Sequence, residues 1–407
     1  MSATAAGDTR GELDRFRTLV LEDSSLQESL ASIEDAAAFA EHVIAAAARR
    51  SIRLVADDLK SFVQNDPIGL SRLTMVPLPA PPTPQKGWLP IQLSRAMDRF
   101  FVDWAYFGNR RLAESFFEDS IRRALRLPFN RMFRFRTPLS ELVRWSERLS
   151  DLRPSGFIFH MSRCGSTLVA QMLAASVKNV VVSEAAPIDG AVQLARALPD
   201  MPEDERVALL RSMVAAFGQR RSGEETRYFV KLDAWHAMAL PLFRKAFPDV
   251  PWVFLYRDPV EVMVSQTRET GTQMIPGIIP PSLYGLDAPD NFAGQDYRAR
   301  VLARICEAAL HEGASGGGLF VDYRELPDAL CTSILPHFGV EFSPAECEFA
   351  LEAARYHAKR PHAEFVADGK AKQSEATDAL REAVDEHLAG IHRRLVACNS
   401  GRSGRTS

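Results

Sequence analysis

The chain is poor in cysteine and shows no pattern in the few it has. Its five cysteines, Cys164, Cys306, Cys331, Cys347 and Cys398, include no CxxC pair and no histidine at metal-ligand spacing. That excludes a disulfide scaffold and a structural zinc module, and it fits a protein kept in a reducing compartment. Neither sign of charge prevails: the net charge is −3 with 25% charged residues, so nucleic acid is not expected as a partner. No charge-free apolar run approaches the roughly 20 residues of a membrane span. MSATAAGDTRGEL at the start has no apolar h-region, so no signal peptide is expected and the placement read from the sequence is cytoplasmic. Also missing is a G-x-x-x-x-G-K-[ST] loop: His160 and Ser166 stand where its first glycine and its lysine belong.

Residues 11 to 65 carry four apolar stripes at helical spacing. They are Leu13/Phe16/Leu19, Leu26/Leu30/Ile33, Phe39/Val43/Ala47 and Leu59/Phe62/Val63, separated by Asp-rich breaks. This spacing resembles the Nif11-like modules of bacterial modified-peptide leaders, and 1–75 is read as a small helical module. Pro77, Pro79, Pro81, Pro82, Pro84 and Pro90 then predict a stiff extended linker or strap. An aromatic, basic stretch follows, in which Trp104, Phe116 and Phe117 predict packed helices, so 76–150 is read as a Pro-rich linker and helical region. Eight arginines lie between Arg110 and Arg136. They form either a solvated face with ion pairs or a surface for an anion.

From 151 to 398 the texture changes. Phe157–Phe159, Val180–Val182, Tyr228–Val230, Trp252–Tyr256 and Leu319–Val321 are continuous apolar runs with helical segments between them. Such runs suit strands buried on both faces, and the alternation predicts an α/β, doubly wound parallel sheet preceded by a mostly helical N-terminal region. Between Phe159 and the helical stripe Leu168/Val169/Met172/Leu173 lies Arg163-Cys164-Gly165-Ser166-Thr167. One cation, one glycine and two hydroxyls between strand and helix make an anion cradle, with first-turn N–H groups aimed at the ligand. Cys164 is expected to have its thiol pKa lowered there by the loop N–H groups and Arg163.

A second anion signal lies in LYRDPVEVMVSQ. Asp258 caps a helix, Pro259 suits its first turn, and Ser265 returns two turns later to the face of Arg257. Arg257 and Ser265 can close on one anion. Lys231 ends another strand facing the same pocket, followed by Asp233 and His236. Glu184 leaves the end of the Val180–Val182 strand, where ligands of such sheets bind. Residues 268–295, broken by Pro276, Pro280, Pro281 and Pro289, form either a lid or a surface loop.

Arg163-x-Gly165-Ser166-Thr167 resembles the 5′-phosphosulfate loop of the sulfotransferases, which use 3′-phosphoadenosine 5′-phosphosulfate (PAPS). Arg257 with Ser265 is similar to their 3′-phosphate motif, and the two motifs stand in family order. The resemblance spans 155 to about 345, including LFVDYRELPDAL. It implies a P-loop-type fold, PAPS as co-substrate without a metal, and sulfuryl transfer to an acceptor hydroxyl or amine. The acceptor, whether peptide, carbohydrate, lipid or small molecule, stays open. Arg163, Cys164, Gly165, Ser166 and Thr167 would hold the 5′ end, and Lys231 would take charge on the leaving phosphate. A family lysine is followed two residues on by a catalytic histidine in the cytosolic branch; here Asp233 stands there and His236 comes later. The protein-tyrosine branch places a glutamate at the interval of Glu184. Glu184, Asp233 and His236 are therefore all candidates for the general base. The family's C-terminal glycine-rich loop is not recognisable, and Lys359, Arg360, Lys370 and Lys372 are candidates for its cations. Two rivals remain: a P-loop kinase, with Asp233 on a metal, and a non-catalytic protein that binds an anionic peptide or nucleotide.

Overall fold

The computed structural model describes residues 3–64, 86–287, 294–357, 360–364 and 368–400. Pro77, Pro79, Pro81, Pro82, Pro84, Pro289 and Lys359 lie outside the described residues. The chain divides into two compact units. One comprises 1–153, 185–200 and 208–225; the other comprises 154–184, 201–207 and 226–407.

The first unit opens with α1 (Ala3–Glu22), α2 (Ser24–Ala31), α3 (Ala36–Ala48) and α4 (Ala56–Val63). Asp23 and Asp35 cap α2 and α3 by accepting from the N–H groups of Leu26 and Ala38, as the Asp-rich breaks predict. Phe16, Leu30, Phe39, Val43 and Leu59 are buried, and the rings of Phe16 and Phe39 pack on Phe133 at 6.2 and 6.4 Å.

The stretch expected to be helical around Trp104 is instead a strand. β1 (Trp88–Ala96), β2 (Arg99–Tyr106) and β3 (Phe135–Pro138) form an antiparallel sheet in that order. The helices α5 (Phe117–Arg126), α6 (Pro128–Phe133) and α7 (Leu139–Leu149) complete the region. β2 is the central strand, and Val102 through Tyr106 are all buried, so no polar alternation marks it in the sequence. Pro90 is tolerated because β1 is an edge strand, and the register shifts just after it. Four of the eight arginines between Arg110 and Arg136 form ion pairs. Arg136 forks onto the buried Asp103 of the neighbouring strand at 2.5 and 2.9 Å, Arg123 meets Glu114 and Arg110 meets Glu34.

The second unit holds β4 (Gly156–His160), β5 (Asn179–Ser183), β6 (Arg227–Lys231), β7 (Trp252–Tyr256) and β8 (Gly318–Asp322). All pair in parallel, in the order β5-β6-β4-β7-β8. Each predicted apolar run falls inside one of these strands, and β4, β5 and β7 are buried along their whole length. α8 (Ser166–Ala174) follows β4. Between β5 and β6 the chain runs through α9 (Ala186–Ala197) and α10 (Glu203–Ala215), which supply most of their residues to the first unit. α11 (Leu240–Ala246), α12 (Pro259–Arg268) and α13 (Gln295–Ala314) complete the crossovers. From β4 the chain moves on to β5 on one side, and from β7 to β8 on the other. The crevice beyond the carboxyl ends of β4 and β7 is therefore the switch point where such sheets bind ligands.

Candidate functional site

β4 ends at His160, and the backbone then turns into left-handed conformations: φ is 77° at Ser162, 52° at Arg163 and 88° at Gly165. Left-handed backbone at non-glycine residues costs of order 1–3 kcal/mol each and persists only where its surroundings fix it. Several contacts fix this loop. The N–H of Ser162 donates to His160 Nδ1 at 3.0 Å, and Gln266 on α12 donates to Ser162 Oγ at 3.0 Å. Arg163 donates to the carboxylate and the carbonyl of Glu269, both at 2.7 Å. Gly165 caps α8, and a Cβ there would stand 2.7 Å from the ring of Tyr323, so contact and conformation both demand glycine. Ser166 and Thr167 open α8, whose first-turn N–H groups have no partner within the helix.

Cys164 overturns the expectation of a lowered thiol pKa. Its Sγ is fully buried and donates to the carbonyl of Leu255 at 3.0 Å. Burial pushes the thiol up to about 12, outweighing the pull of nearby N–H groups and of Lys231 and Arg257. The residue lends the loop its backbone, and its side chain packs against β7.

Arg257 leaves the end of β7, buried, with its guanidinium carbon 4.0 Å from the centre of the Tyr323 ring. Its Nε donates to Glu261 at 2.6 Å and its Nη2 to Asp368 at 3.1 Å. Asp368 also holds Lys372, buried to 6% exposure, at 2.8 Å. Of the cations considered for the C-terminal stretch, Lys372 is thus the one brought beside Arg257, while Lys370 is exposed and nothing is described of the Arg360 side chain. Ser265 is buried on α12 and donates to the Glu261 carbonyl of its own helix at 3.0 Å.

Lys231 ends β6 and Glu184 directly follows β5, and the fully buried ammonium pairs with the half-buried carboxylate. Glu184 is left-handed, with φ 49°, and its N–H donates to the Lys231 carbonyl at 2.8 Å. Burial alone would raise its pKa; the charge of Lys231 and the hydrogen bonds of His160 and Lys231 overcome this and hold it well below the usual range. His160 Nε2 lies 2.9 Å from the Leu232 carbonyl and 3.5 Å from Glu184. Because its Nδ1 accepts from Ser162, the proton is assigned to Nε2. Burial lowers the pKa of His160 and keeps the ring neutral.

The two other base candidates are engaged locally. Asp233 is the N-cap of the turn Ala234–Ala239, and its N–H donates to Nδ1 of the buried His236 at 3.2 Å. The structure thus gathers the loop, Lys231 and Glu184 around His160, and joins the loop to Arg257 through Tyr323. Sequence reasoning passed over His160, Gln266, Glu269, Tyr323 and Asp368. One signal was available: His160 occupies the last position of an apolar strand, where a polar residue faces the ligand end.

Residues 154–344 match the model described as the Sulfotransferase family. Among solved structures, the sulfotransferase domain from the curacin biosynthetic pathway is 18% identical, with a TM-score of 0.38, over 58% of this chain and 98% of that one. Sulfotransferase STF9 from Mycobacterium avium is 11% identical, with a TM-score of 0.36, over 61% of this chain and 81% of that one. Mouse sulfotransferase SULT7A1, complexed with PAP, is 10% identical, with a TM-score of 0.32, over 76% and 99%. No curated protein matches. Among the described residues, no helix is long and apolar enough to cross a membrane.

The burial of Cys164 predicts that iodoacetamide at about pH 8 labels exposed Cys398 first and Cys164 only on unfolding. Peptide mass spectrometry showing equal rates at the two sites would contradict it. For Glu184, a folded pKa below the ordinary 4.5 contributes stability above that pH, lost as pH falls toward the folded value. Glu184→Gln removes the carboxylate that faces the buried Lys231 ammonium and costs about 3 kcal/mol at neutral pH. It should also flatten the fall in urea midpoint from about pH 5 to about pH 3. Parallel acid limbs for the two proteins would refute the depressed pKa.

Proposed function

We propose that the chain transfers the sulfuryl group of PAPS to an acceptor hydroxyl or amine, on the carboxyl ends of β4 to β7. The observation that carries this is the convergence, within the stretch that matches the Sulfotransferase family, of a left-handed anion loop with three cations: Arg163 at β4, Lys231 at β6 and Arg257 at β7. Loop N–H groups, Arg163, Ser166 and Thr167 bind the 5′-phosphosulfate, and Arg257, Ser265 and Lys372 bind the 3′-phosphate. The acceptor oxygen or nitrogen attacks sulfur, and the bond from sulfur to the bridging oxygen breaks. The electron pair leaves on the 5′-phosphate, where Lys231 stabilises it. Glu184 takes the acceptor's proton. A carboxylate held low by Lys231 is a weak base, so the reading requires Lys231 to turn from Glu184 toward the donor. That movement raises the Glu184 pKa as the leaving group gains its cation. No metal enters this scheme. The module at 1–75 and the region 76–150 precede the transferase domain, read as 151–398. A cytoplasmic location fits the five free cysteines.

In this state Arg257 and Lys372 share the carboxylate of Asp368, which the donor's 3′-phosphate must displace. Adenosine 3′,5′-bisphosphate should raise the melting temperature more than ATP–Mg²⁺ does. Arg257→Ala should weaken its binding about 10- to 100-fold, and Asp368→Asn should tighten it. A preference for ATP–Mg²⁺ would favour a kinase. Bisphosphate binding indifferent to Arg257 would remove the proposed donor pose.

A further inference from the structure

The first unit contains a cavity of about 640 Å³, of the size that takes a small organic molecule. Its walls include the rings of Tyr106 and Phe129, packed at 5.2 Å, the cations Lys86, Arg110 and Arg221, and a single carboxylate, Glu28. Two left-handed glycines, Gly87 and Gly108, lie against the Tyr106 ring. A Cβ on either would meet it at 2.8 or 3.2 Å, so the ring's position is built into the backbone. Burial, reinforced by Glu28, raises the Tyr106 hydroxyl to about 12 and keeps it protonated as a donor.

Arg221 is the informative residue. It is 9% exposed, and burial lowers its pKa to about 10, with only partial compensation from Glu225. Glu225 is itself occupied by the N–H groups of Ser222 and Gly223. Arg221 Nη1 donates to the carbonyls of Arg110 at 2.6 Å and Gly108 at 3.4 Å. Its buried Nε has no hydrogen-bond partner. The guanidinium lines the cavity, and a guanidinium there is a donor for a carboxylate or phosphate. A residue needed only to pin the 108–110 turn would use Nη1, leaving a buried Nε unsatisfied at substantial cost.

We propose that this cavity is a binding site for an organic anion with a flat apolar body. The anionic group lies at the guanidinium groups of Arg221 and Arg110, and the body lies against Tyr106 and Phe129. Glu28, the one carboxylate in the lining, opposes a second negative charge. The site belongs to the first unit alone and does not depend on the donor reading.

The test is calorimetric titration of the full chain with phenyl phosphate, beside phenol and inorganic phosphate. Phenyl phosphate should bind more tightly than either. Arg110→Gln, a half-exposed position, should weaken it about tenfold, and Arg221→Gln at least as much. Glu28→Gln should tighten it, and Arg257→Ala in the other unit should leave this binding unchanged. Should Arg221→Gln fail to fold, Arg110→Gln and Glu28→Gln decide the matter. Absence of binding, binding that only Arg257→Ala abolishes, or equal binding of phenol or inorganic phosphate would each overturn the proposal.

Discussion

The ion pair of buried Lys231 with Glu184 is the constraint on which the second unit's site depends. An ammonium with no exposure is costly unless a carboxylate meets it, and Glu184 does so only because its backbone is left-handed. The strain at Glu184 is therefore repaid through the pair. The same carboxylate lies 3.5 Å from His160, and the other nitrogen of that ring accepts from the first residue of the anion loop's left-handed run. The acid–base end of the site and the donor loop thus share one imidazole. A change in the state of the pair has a direct structural route to the loop.

The cations of the site are occupied by carboxylates: Arg163 by Glu269, Arg257 by Glu261 and Asp368, Lys231 by Glu184. This keeps three buried or half-buried charges compensated in the protein alone. An anionic ligand then binds by exchange, replacing carboxylates that are already positioned, and its net affinity is the difference between two sets of charge-assisted bonds. Asp368 and Glu269 are the partners most able to move, being more exposed than the cations they hold.

The sheet was legible because a strand buried on both faces must be apolar throughout, and five such runs stood apart from the helical segments. The turn from β4 into α8 was legible from its small residues, and the start of α12 from Asp258 and Pro259. The carboxylate partners were not, because Glu269 and Asp368 lie 106 and 111 residues from the arginines they hold. Cys164 misled because neighbours in sequence indicated an electropositive setting, whereas the thiol turns into the core. β2 misled for a related reason: as a central strand rich in aromatics, it offers neither polar alternation nor a β-branched run. The cavity of the first unit could not be read at all, since Arg221 and Arg110 reach it from segments 111 residues apart.

The most direct measurement of the central claim is transfer of radiolabelled sulfur from PAPS into cell-extract acceptors, by the native chain and by Glu184→Gln at a temperature where both are folded. The account predicts label incorporation by the native chain. It predicts a fall of at least about 100-fold in the variant, with donor affinity retained within about twofold. Undiminished transfer by Glu184→Gln would contradict the role given to the pair. Failure of the native chain to transfer label to any acceptor, while still binding the bisphosphate, would contradict the activity itself.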